Sequence, residues 1–292
     1  INYNVKNVVI EDKNNYLKFK SFFKKKKIRL HLGIKNINSI IKKKVSFCVN
    51  AISGIDGLEP TLKIIPLTKN ILIANKESII CGWDIINKKL KKNNTIFIPL
   101  DSEHFSINQL IKDEKREEID KIILTASGGP FLNVPKNKML NIKPKFALKH
   151  PNWKMGKKIS IDSSTMMNKI FEFIEAKKIF NLKNNKLSIL IHPSSYVHAI
   201  VYFKSDLIKF LAHDTSMIIP ISNALNIKLN TQIKLTKNKL NKLNTLNFQS
   251  PKINKFPLLK VIKLIPEKSS YFETILITIN DVLVNNYLNN KI

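Results

Sequence analysis

Short apolar runs alternate with amphipathic stretches along most of the chain, a pattern typical of βαβ units. Buried strands are predicted at residues 45–52, 71–74, 95–100, 121–126 and 187–191. Between the second and third of these runs, apolar side chains recur at helical spacing, at Ile79, Trp83, Ile86 and Leu90. A further helix is predicted over residues 163–180, with Met and Phe side chains facing a core. The pattern therefore predicts an α/β fold.

The last part of the chain has a different character. Residues 227–257 are polar and rich in Asn and Lys, which is typical of a linker or an irregular surface connection. Residues 258–292 regain apolar positions at helical spacing and predict a small helical unit. With 292 residues and 43% hydrophobic content the chain can bury a core over about two domains. No apolar run is long enough to predict a membrane span, so no membrane partner is expected.

The charge balance is strongly basic, with 50 Lys and Arg against 21 Asp and Glu and a net charge of +29. Such an excess suggests nucleic acid as a partner. However, the arginines that best read base edges and phosphates are only Arg29 and Arg116, and the lysines are spread along the chain among Asn and Ile. Biased A/T-rich coding explains this composition, so no specific nucleic-acid partner is expected. Cys48 and Cys81 predict core packing in a reducing compartment.

The glycines of the sequence do not form a nucleotide-binding motif. The seven glycines form neither a G-x-G-x-x-G fingerprint nor a P-loop. A nucleotide fingerprint is therefore either absent or outside this chain.

Two carboxylates follow a predicted strand, in the segment Asp101-Ser102-Glu103-His104. Ligands of α/β sheets bind at the carboxyl ends of strands. In an extended chain, side chains at i and i+2 point the same way, so Asp101 and Glu103 would converge on a cation. The alternative is a turn followed by a helix N-cap.

Two further loops suit an anionic ligand. Residues 127–130, Ser-Gly-Gly-Pro, follow the strand at 121–126, and their small side chains let backbone N–H groups approach an anion. A plain tight turn is the alternative. Residues 150–158 combine Trp153, a Met, a Gly and three lysines, which suits a mobile flap over an anionic ligand or, equally, a solvated basic loop.

Residues 163–169 carry hydroxyl, Asn and Lys side chains and are interpreted as the start of a helix that grips a phosphate. Asn168, Lys169 and Glu172 share one helix face, so Glu172 could join the two other carboxylates around one metal. Oxygen ligands favour Mg²⁺ or Mn²⁺ over zinc. An exposed Lys–Glu pair is the alternative. His192 and His198 are interpreted as core or hinge residues, and no nucleophile signature is present.

Taken together, seven segments resemble the 1-deoxy-D-xylulose 5-phosphate reductoisomerase family, with matching order and spacing. The resemblance is strong over about residues 45–225. The longest match, HPNWKMGKKISIDSSTMMNK, is also the most specific. The others are NAISGIDGLEPTL (50–62), ILIANKES (71–78), IPLDSEH (98–104), ASGGPF (126–131), EFIEA (172–176) and LIHPSSYVHAIV (190–201).

The resemblance implies an enzyme of the non-mevalonate isoprenoid pathway. Its reaction converts 1-deoxy-D-xylulose 5-phosphate into 2-C-methyl-D-erythritol 4-phosphate, first by a rearrangement on a divalent metal and then by hydride transfer from NADPH. The metal is expected to be Mn²⁺ or Mg²⁺, with Co²⁺ as a third candidate. The resemblance also implies a homodimer in a bacterial cytoplasm or a plastid.

The resemblance further implies roles for individual residues. The metal ligands are expected to be Asp101, Glu103 and Glu172, and these, with Lys169 and His150, form the expected catalytic set. Substrate contacts are expected from Lys76, Ser102, Ser127, His150, Trp153, Ser163, Asn168, Lys169, Glu172 and Ser195. NADPH contacts are expected from Asn75, Glu77 and Gly156. His198 is placed near the site.

Several positions depart from the family pattern. The family's Gly-rich first turn (GSTGSIG type) is not found, and residues 1–44 resemble the later part of that domain, so a truncation at both ends is expected. Ile170 replaces a usual Gly, and Asn280-Asp281 replaces an acidic NE pair. The expected architecture is a partial Rossmann-like NADPH-binding domain (1–100), a catalytic and dimerisation α/β domain with a mobile flap (101–226), a linker (227–257) and a remnant helical domain (258–292). The alternative is a decayed, non-catalytic relative whose basic surface binds a polyanion.

Overall fold

Three separate sheets and a set of flanking helices make up the computed structural model, which describes residues 3–139, 142–153, 155–227 and 237–292. The first sheet is a parallel pair, β1 (Asn7–Ile10) and β2 (Arg29–Leu32). It is connected by α1 (Lys13–Lys25) and followed by the short helix α2 (Ile37–Ile40). Asp12 caps α1 by accepting a hydrogen bond from the N–H of Asn15 at 2.7 Å.

The second sheet has the order β3-β4-β5 and is parallel throughout. Its elements are β3 (Val45–Asn50), α3 (Leu58–Ile64), β4 (Thr68–Ile73), α4 (Lys76–Asn93) and β5 (Ile96–Pro99). Ile79, Trp83 and Ile86 of α4 are buried against Ile71 and Ile73 of β4, which fits their helical spacing in the sequence. The helix ends at Asn94, whose backbone is left-handed with φ +50°.

The third sheet has the order β7-β6-β8-β9, with β6 and β7 parallel and the other pairs antiparallel. Its strands are β6 (Ile119–Ala126), β7 (Leu187–Ile191), β8 (Val197–Phe203) and β9 (Ile208–Ala212). In the described residues between β5 and β7, the chain forms four α-helices: α5 (Ser102–Leu110), α6 (Pro144–Ala147), α7 (Lys157–Ser164) and α8 (Met167–Phe180). Most of α8 is buried on all sides, because it packs between this sheet and α4.

The remaining helices are α9 (Ile218–Ala224), α10 (Lys237–Asn244) and α11 (Phe272–Leu288), with a 3₁₀ helix at Pro257–Leu264. Residues 228–236 of the predicted linker lie outside the described residues, and α10 lies within the same predicted segment. Gln249 then pairs with Ile191 of β7, so the segment returns to the third sheet. None of the helices in the described ranges is both long and apolar enough to span a membrane.

The predicted strands are confirmed, although most of their ends differ by one to three residues. The predicted helix 163–180 is wrong at its start. Ser163 and Ser164 form the last turn of α7, and α8 begins only at Met167. Met166 between them has φ +67°, which breaks the helix although its side chain is buried. The apolar period continues through this break, so periodicity alone gives no sign of it.

Candidate active site

The carboxyl ends of β4, β5 and β6 lead to residues that line one cavity of about 240 Å³. Lys76 follows β4, Asp101 follows β5, and Ser127 follows β6. β4 and β5 are parallel neighbours, so their carboxyl ends lie at one edge of the second sheet, where a ligand finds loops rather than packed side chains. β6 belongs to the third sheet and brings Ser127 to the same cavity. All the predicted substrate and metal residues line this cavity: Lys76, Asp101, Ser102, Glu103, Ser127, His150, Trp153, Ser163, Asn168, Lys169, Glu172 and Ser195.

The two carboxylates after β5 converge by a different geometry from the predicted one. Asp101 is the N-cap of α5 and accepts a hydrogen bond from the N–H of Glu103 at 3.2 Å. Glu103 lies in the first turn of the helix rather than in an extended chain. The prediction of an extended i, i+2 pair is therefore wrong. The N-cap and the first helical turn nevertheless direct both carboxylates to one place, and the positive end of the helix dipole favours them there.

Glu172 brings the third carboxylate from α8. Carboxylate oxygens of Asp101, Glu103 and Glu172 all lie within 4.8 Å of one another, close enough to share one cation. Glu172 is only 1% exposed, so its charge needs partners. Asn168 donates a hydrogen bond to it from the preceding turn of α8. The predicted shared face of Asn168, Lys169 and Glu172 is confirmed, and it is buried rather than exposed.

Two buried lysines separate the carboxylates. Lys169 Nζ lies 2.5 Å from Glu103 and also donates to Glu172. Lys76 Nζ donates to Asp101 and lies 3.6 Å from Glu172 and 3.4 Å from Glu175. The four carboxylates carry two more charges than the two ammonium groups when all are ionised, which is the charge of one divalent cation. The three carboxylates that line the cavity offer only oxygen atoms as metal ligands, so they fit a hard cation such as Mg²⁺ or Mn²⁺.

Burial and crowding shift the pKa values of this cluster. Burial, and after it the carboxylate of Glu103, raise the pKa of Glu172 to about 8. Burial raises the pKa of Glu175 to about 7. Burial also disfavours the charged form of Asp101, but the Lys76 ammonium outweighs it and holds the pKa of Asp101 well below its usual range. The metal-free cluster therefore holds protons that a cation would displace.

The opposite wall of the cavity is neutral and hydrogen-bonded. His150 Nδ1 accepts hydrogen bonds from the N–H groups of Asn152 at 3.1 Å and Trp153 at 3.0 Å, so its proton resides on Nε2. Nε2 donates to Ser127 Oγ at 3.0 Å, and the N–H of Gly129 donates to the same oxygen at 3.0 Å. With both lone pairs engaged, the Ser127 hydroxyl proton is left for an acceptor in the cavity.

The glycines after β6 allow this wall to form. Gly128 and Gly129 have φ +82° and +66°, a region that side chains with a Cβ rarely adopt. A Cβ on Gly129 would lie 2.5 Å from the carbonyl oxygen of Ser163, so only glycine lets the turn approach the end of α7. The approach places Ser127 and Ser163 on one cavity. Ser163 reaches the cavity from the last turn of α7. The predicted phosphate grip at a helix N-terminus is therefore wrong, because Ser163 lies at the C-terminal end of a helix.

Residues of the predicted flap cover the cavity with apolar groups. Trp153 and Met155 line it from the loop before α7, and Met217 lines it from the segment before α9. The Trp153 ring meets the buried ring of His198 edge-on at 6.0 Å between centroids. Lys154 of the same loop lies outside the described residues.

The three predicted cofactor residues are not part of the cavity lining. Asn75 is the N-cap of α4, and its side chain accepts from the N–H of Ser78 at 2.6 Å and donates to Gly54 O at 2.7 Å and to Ile52 O. Glu77 pairs with Lys158 at 2.6 Å, and burial of Glu77 is outweighed by this partner, which lowers its pKa. Gly156 is the N-cap of α7, with open space where a Cβ would be. Ala74 and Met155, their chain neighbours, do line the cavity.

Sequence reasoning missed the buried groups behind the cavity. Glu175 lies one helical turn after Glu172, and that i, i+3 spacing in the EFIEA segment was the available signal. His104 is fully buried, and its Nε2 donates to the Glu172 carbonyl oxygen at 2.9 Å, which ties α5 to α8. His213, directly after β9, stacks on His198 of β8 at 3.7 Å between centroids, a contact that the sequence does not signal. His192 is fully buried, as predicted for a core residue.

A parallel-sheet edge, a buried three-carboxylate cluster and a neutral hydrogen-bonding wall define a class of protein. They are features of α/β enzymes that use a divalent cation to act on a small, oxygen-rich anion.

Family models match three parts of the chain. They describe 1-deoxy-D-xylulose 5-phosphate reductoisomerase over residues 1–82 and its C-terminal domain over residues 97–180 and 213–292. A reductoisomerase of Pelagibacter ubique is 50% identical over 99% of this chain and 75% of its own length. One of Persephonella marina is 39% identical over 97% of this chain and 74% of its own length. The chain belongs to the 1-deoxy-D-xylulose 5-phosphate reductoisomerase family.

Solved structures agree. A DOX-P reductoisomerase in complex with NADPH, fosmidomycin and magnesium matches with a TM-score of 0.88 and 32% identity, over 98% of this chain and 73% of that one. The Zymomonas mobilis enzyme in complex with NADPH matches with a TM-score of 0.87 and 30% identity, over 99% and 75%. The predicted family, the α/β fold class and the class of NADPH- and metal-dependent enzyme are thus confirmed.

Proposed function

We propose that this chain performs the reductoisomerase reaction in the cavity described above, turning 1-deoxy-D-xylulose 5-phosphate into 2-C-methyl-D-erythritol 4-phosphate with NADPH and a divalent metal. The observation that carries the proposal is the meeting of three carboxylates from two separate segments beside a neutral hydrogen-bonding wall. The relatives and the solved structures that carry the reductoisomerase name support the proposal.

Asp101, Glu103 and Glu172 would hold the metal. Their oxygens are close enough to one another, and the excess of two negative charges in the cluster matches a divalent cation. When bound, the metal polarises the substrate's carbonyl group and stabilises negative charge on its oxygens. Ser102 donates a hydrogen bond to Glu103, and Asn168 donates one to Glu172, so both carboxylates are oriented by neighbouring side chains.

The buried lysines hold the charge of the site. Lys169 lies between Glu103 and Glu172, where burial alone would favour its neutral form, but the two carboxylates outweigh burial and raise its pKa. It therefore stays an ammonium and can donate to an oxygen of the substrate that gains negative charge. Lys76 likewise stays an ammonium group beside Asp101. Burial alone would lower its pKa, but its carboxylate neighbours outweigh burial and raise the pKa well above the ordinary value.

The phosphate group of the substrate fits the neutral wall. Ser127 offers its hydroxyl proton, and Ser163 lines the same cavity, as does Asn168 from the side of Glu172. Burial lowers the pKa of His150, which stays neutral and directs its Nε2 proton to Ser127 rather than to the ligand. We assign His150 the task of orienting Ser127, in addition to the predicted contact with substrate.

The flap excludes water from the reacting atoms. Trp153 and Met155 of the flap, with Met217 from the segment before α9, provide apolar cover, which strengthens electrostatic interactions inside the cavity. Ser195, from the turn before β8, completes the polar part of the lining.

The predicted NADPH residues fit the position next to the cavity. Asn75 and Glu77 stand at the carboxyl end of β4, the edge at which parallel sheets bind nucleotides, and Gly156 leaves open space on its side chain face. The Asn75 side chain already makes three hydrogen bonds, two of them to carbonyl oxygens of residues 52 and 54. We therefore assign it an indirect role, in which it fixes the loop at residues 52–54 that would contact the dinucleotide.

Mn²⁺ titration by calorimetry tests the metal assignment, with the Asp101→Asn, Glu172→Gln double variant compared with the parent. We expect Mn²⁺ affinity to fall at least about a hundredfold, because two anionic ligands become neutral. Asp113→Asn, an exposed carboxylate outside the cavity, is the control and should bind like the parent. Equal Mn²⁺ affinity in the double variant and the parent would refute the assignment. Turnover measured by NADPH oxidation, on the same samples, separates the reductoisomerase from a non-catalytic, polyanion-binding relative.

The homodimer is also a proposal. The strand β9 is an edge of the third sheet, and its Ile208 and Phe210 are exposed, together with Leu207 just before it. An exposed apolar edge is the type of surface that pairs with a second copy. Phe210→Lys should therefore reduce the mass measured by light scattering from two chains to one, and Lys209→Glu should not remove the apolar contact. The location in a bacterial cytoplasm or a plastid, the four-part division of the chain and the lack of a specific nucleic-acid partner stay predictions.

A further inference from the structure

Asn152 connects the flap to a turn on the far side of the cavity. Its side-chain Nδ2 donates hydrogen bonds to the carbonyl oxygen of Pro193 at 2.7 Å and to Ser195 Oγ at 2.9 Å. Both amide protons are thus used on one turn, the one between β7 and β8. Ser195 is 7% exposed and has φ +53°, an uncommon backbone conformation that the surrounding structure must hold in place.

That turn is fixed from behind. His192 is fully buried, and its Nδ1 donates to the carbonyl oxygen of Asn247 at 2.8 Å, so its Nε2 accepts from Ser194 Oγ at 2.9 Å. Its ring stacks on Phe248 at 4.6 Å between centroids. Asn152 therefore fastens a loop to an element that tertiary packing keeps rigid.

The flap has a second anchor, at its beginning. His150 donates to Ser127, and the backbone N–H groups of Asn152 and Trp153 donate to His150. Trp153 lies directly after Asn152, with its ring against His198 and the cavity. The position of Trp153 over the cavity thus depends on polar bonds at His150 and Asn152, because none of the described flap residues has a fully buried side chain.

We propose that Asn152 is a positioning residue that latches the flap onto the turn at residues 193–195 and so sets Trp153 over the cavity. Both bonds run directly between protein atoms, so the latch is a property of the chain itself. Its effect on turnover rests on the proposed reductoisomerase function, whereas its effect on the flap does not.

Tryptophan fluorescence tests the latch without substrate. The chain has two tryptophans, so Trp83→Phe leaves Trp153 as the reporter. In that background we expect Asn152→Ala to shift the emission to longer wavelength and to raise the acrylamide quenching constant about twofold or more. Asn152→Asp keeps the size of the side chain but cannot donate, so it should behave like Asn152→Ala. Ser195→Ala removes one of two bonds and should give a smaller change. Asn133→Ala, on an exposed loop, is the matched control and should match the background.

Kinetics of the full chain give the second measurement. Two ordinary hydrogen bonds that favour the closed flap predict a rise in KM for 1-deoxy-D-xylulose 5-phosphate of about tenfold, with kcat changed much less. Unchanged emission and quenching in Asn152→Ala, or parent-like fluorescence in Asn152→Asp, would overturn the latch. A fluorescence change in a chain that shows no turnover would instead leave the latch in place and remove the proposed function.

Discussion

The two ends of the cavity are built in opposite ways. At the acid end, Glu172 and Glu175 are each 1% exposed on a helix that is buried on nearly all sides, and every charge has a partner of opposite sign. At the flap end, the groups that hold the flap, such as His150, Ser127 and Asn152, are neutral and are joined by hydrogen bonds without ion pairs. Charges in a low-dielectric interior need fixed partners, whereas neutral groups can part and meet again at small cost. The comparison indicates a rigid metal end and a substrate end that can open.

The largest expected effect concerns the acid end. Lys76→Met leaves Asp101 and Glu175 without their ammonium partner, and removing one member of a buried pair costs about 3–5 kcal/mol of unfolding free energy. Urea unfolding of the metal-free protein measures the loss, and added Mn²⁺ should restore part of it by binding only the folded state. Lys158→Met is the control, because its side chain is 35% exposed and its pairs contribute about 1 kcal/mol or less. Equal losses of unfolding free energy in the Lys76→Met and Lys158→Met variants would contradict the view that the acid end depends on its buried ion pairs.

A backbone change should affect the flap end next. Gly129→Ala places a Cβ 2.5 Å from the Ser163 carbonyl oxygen at a positive φ, so we expect a loss of about 2–3 kcal/mol of unfolding free energy. Gly156→Ala is the matched control, since its φ is −62° and no atom of the described residues lies within 4 Å of the added Cβ. It should change stability by less than about 1 kcal/mol. If both glycine variants lost the same unfolding free energy, the close approach of Gly129 to Ser163 would not be the cause of the loss.

A smaller effect is expected from one hydroxyl. Ser127→Ala removes the proton that the neutral wall offers to the ligand, which predicts a drop in kcat/KM of about tenfold. Steady-state NADPH oxidation measures it. Because the acid end is untouched, Mn²⁺ affinity of this variant should equal that of the parent. A matching loss of metal affinity would mean that the two ends are coupled rather than separate.

The smallest effect is a pH dependence of the acid end. The pKa of Glu172 in the folded protein is raised to about 8, above its unfolded value of 4.5, so the folded state binds the proton more tightly. Stability of the metal-free protein therefore falls as pH rises through this range, by about 1 kcal/mol from about pH 7 to about pH 8. The histidines, whose pKa values are lowered by burial, act mainly below that window. Glu172→Gln should flatten the decline, and a decline of the same slope in that variant would assign it to another group.

The elements with the clearest local signals are those that the sequence predicts well. Residues 122–124 are apolar and β6 is buried without interruption from Ile122 to Ala126, because it is covered on both faces there, and its strand is confirmed over Ile119–Ala126. The shared face of Asn168, Lys169 and Glu172 follows from helix geometry alone. The break at Met166 escaped prediction, since its φ of +67° is imposed by the packing of α7 against α8 and leaves the apolar period intact.

The sequence by itself determined the α/β class, the family and the residue types of the site, because strand runs, helix faces and the long HPNWKMGKKISIDSSTMMNK segment are local features. Only the tertiary structure decided which charges meet. It placed Lys76 and Glu175 beside Asp101, and it joined Asn152 to Ser195, residues that lie far apart in the chain. Charge pairing and hydrogen bonding act over a few ångströms in space, so separation along the chain carries no information about them until the fold has formed.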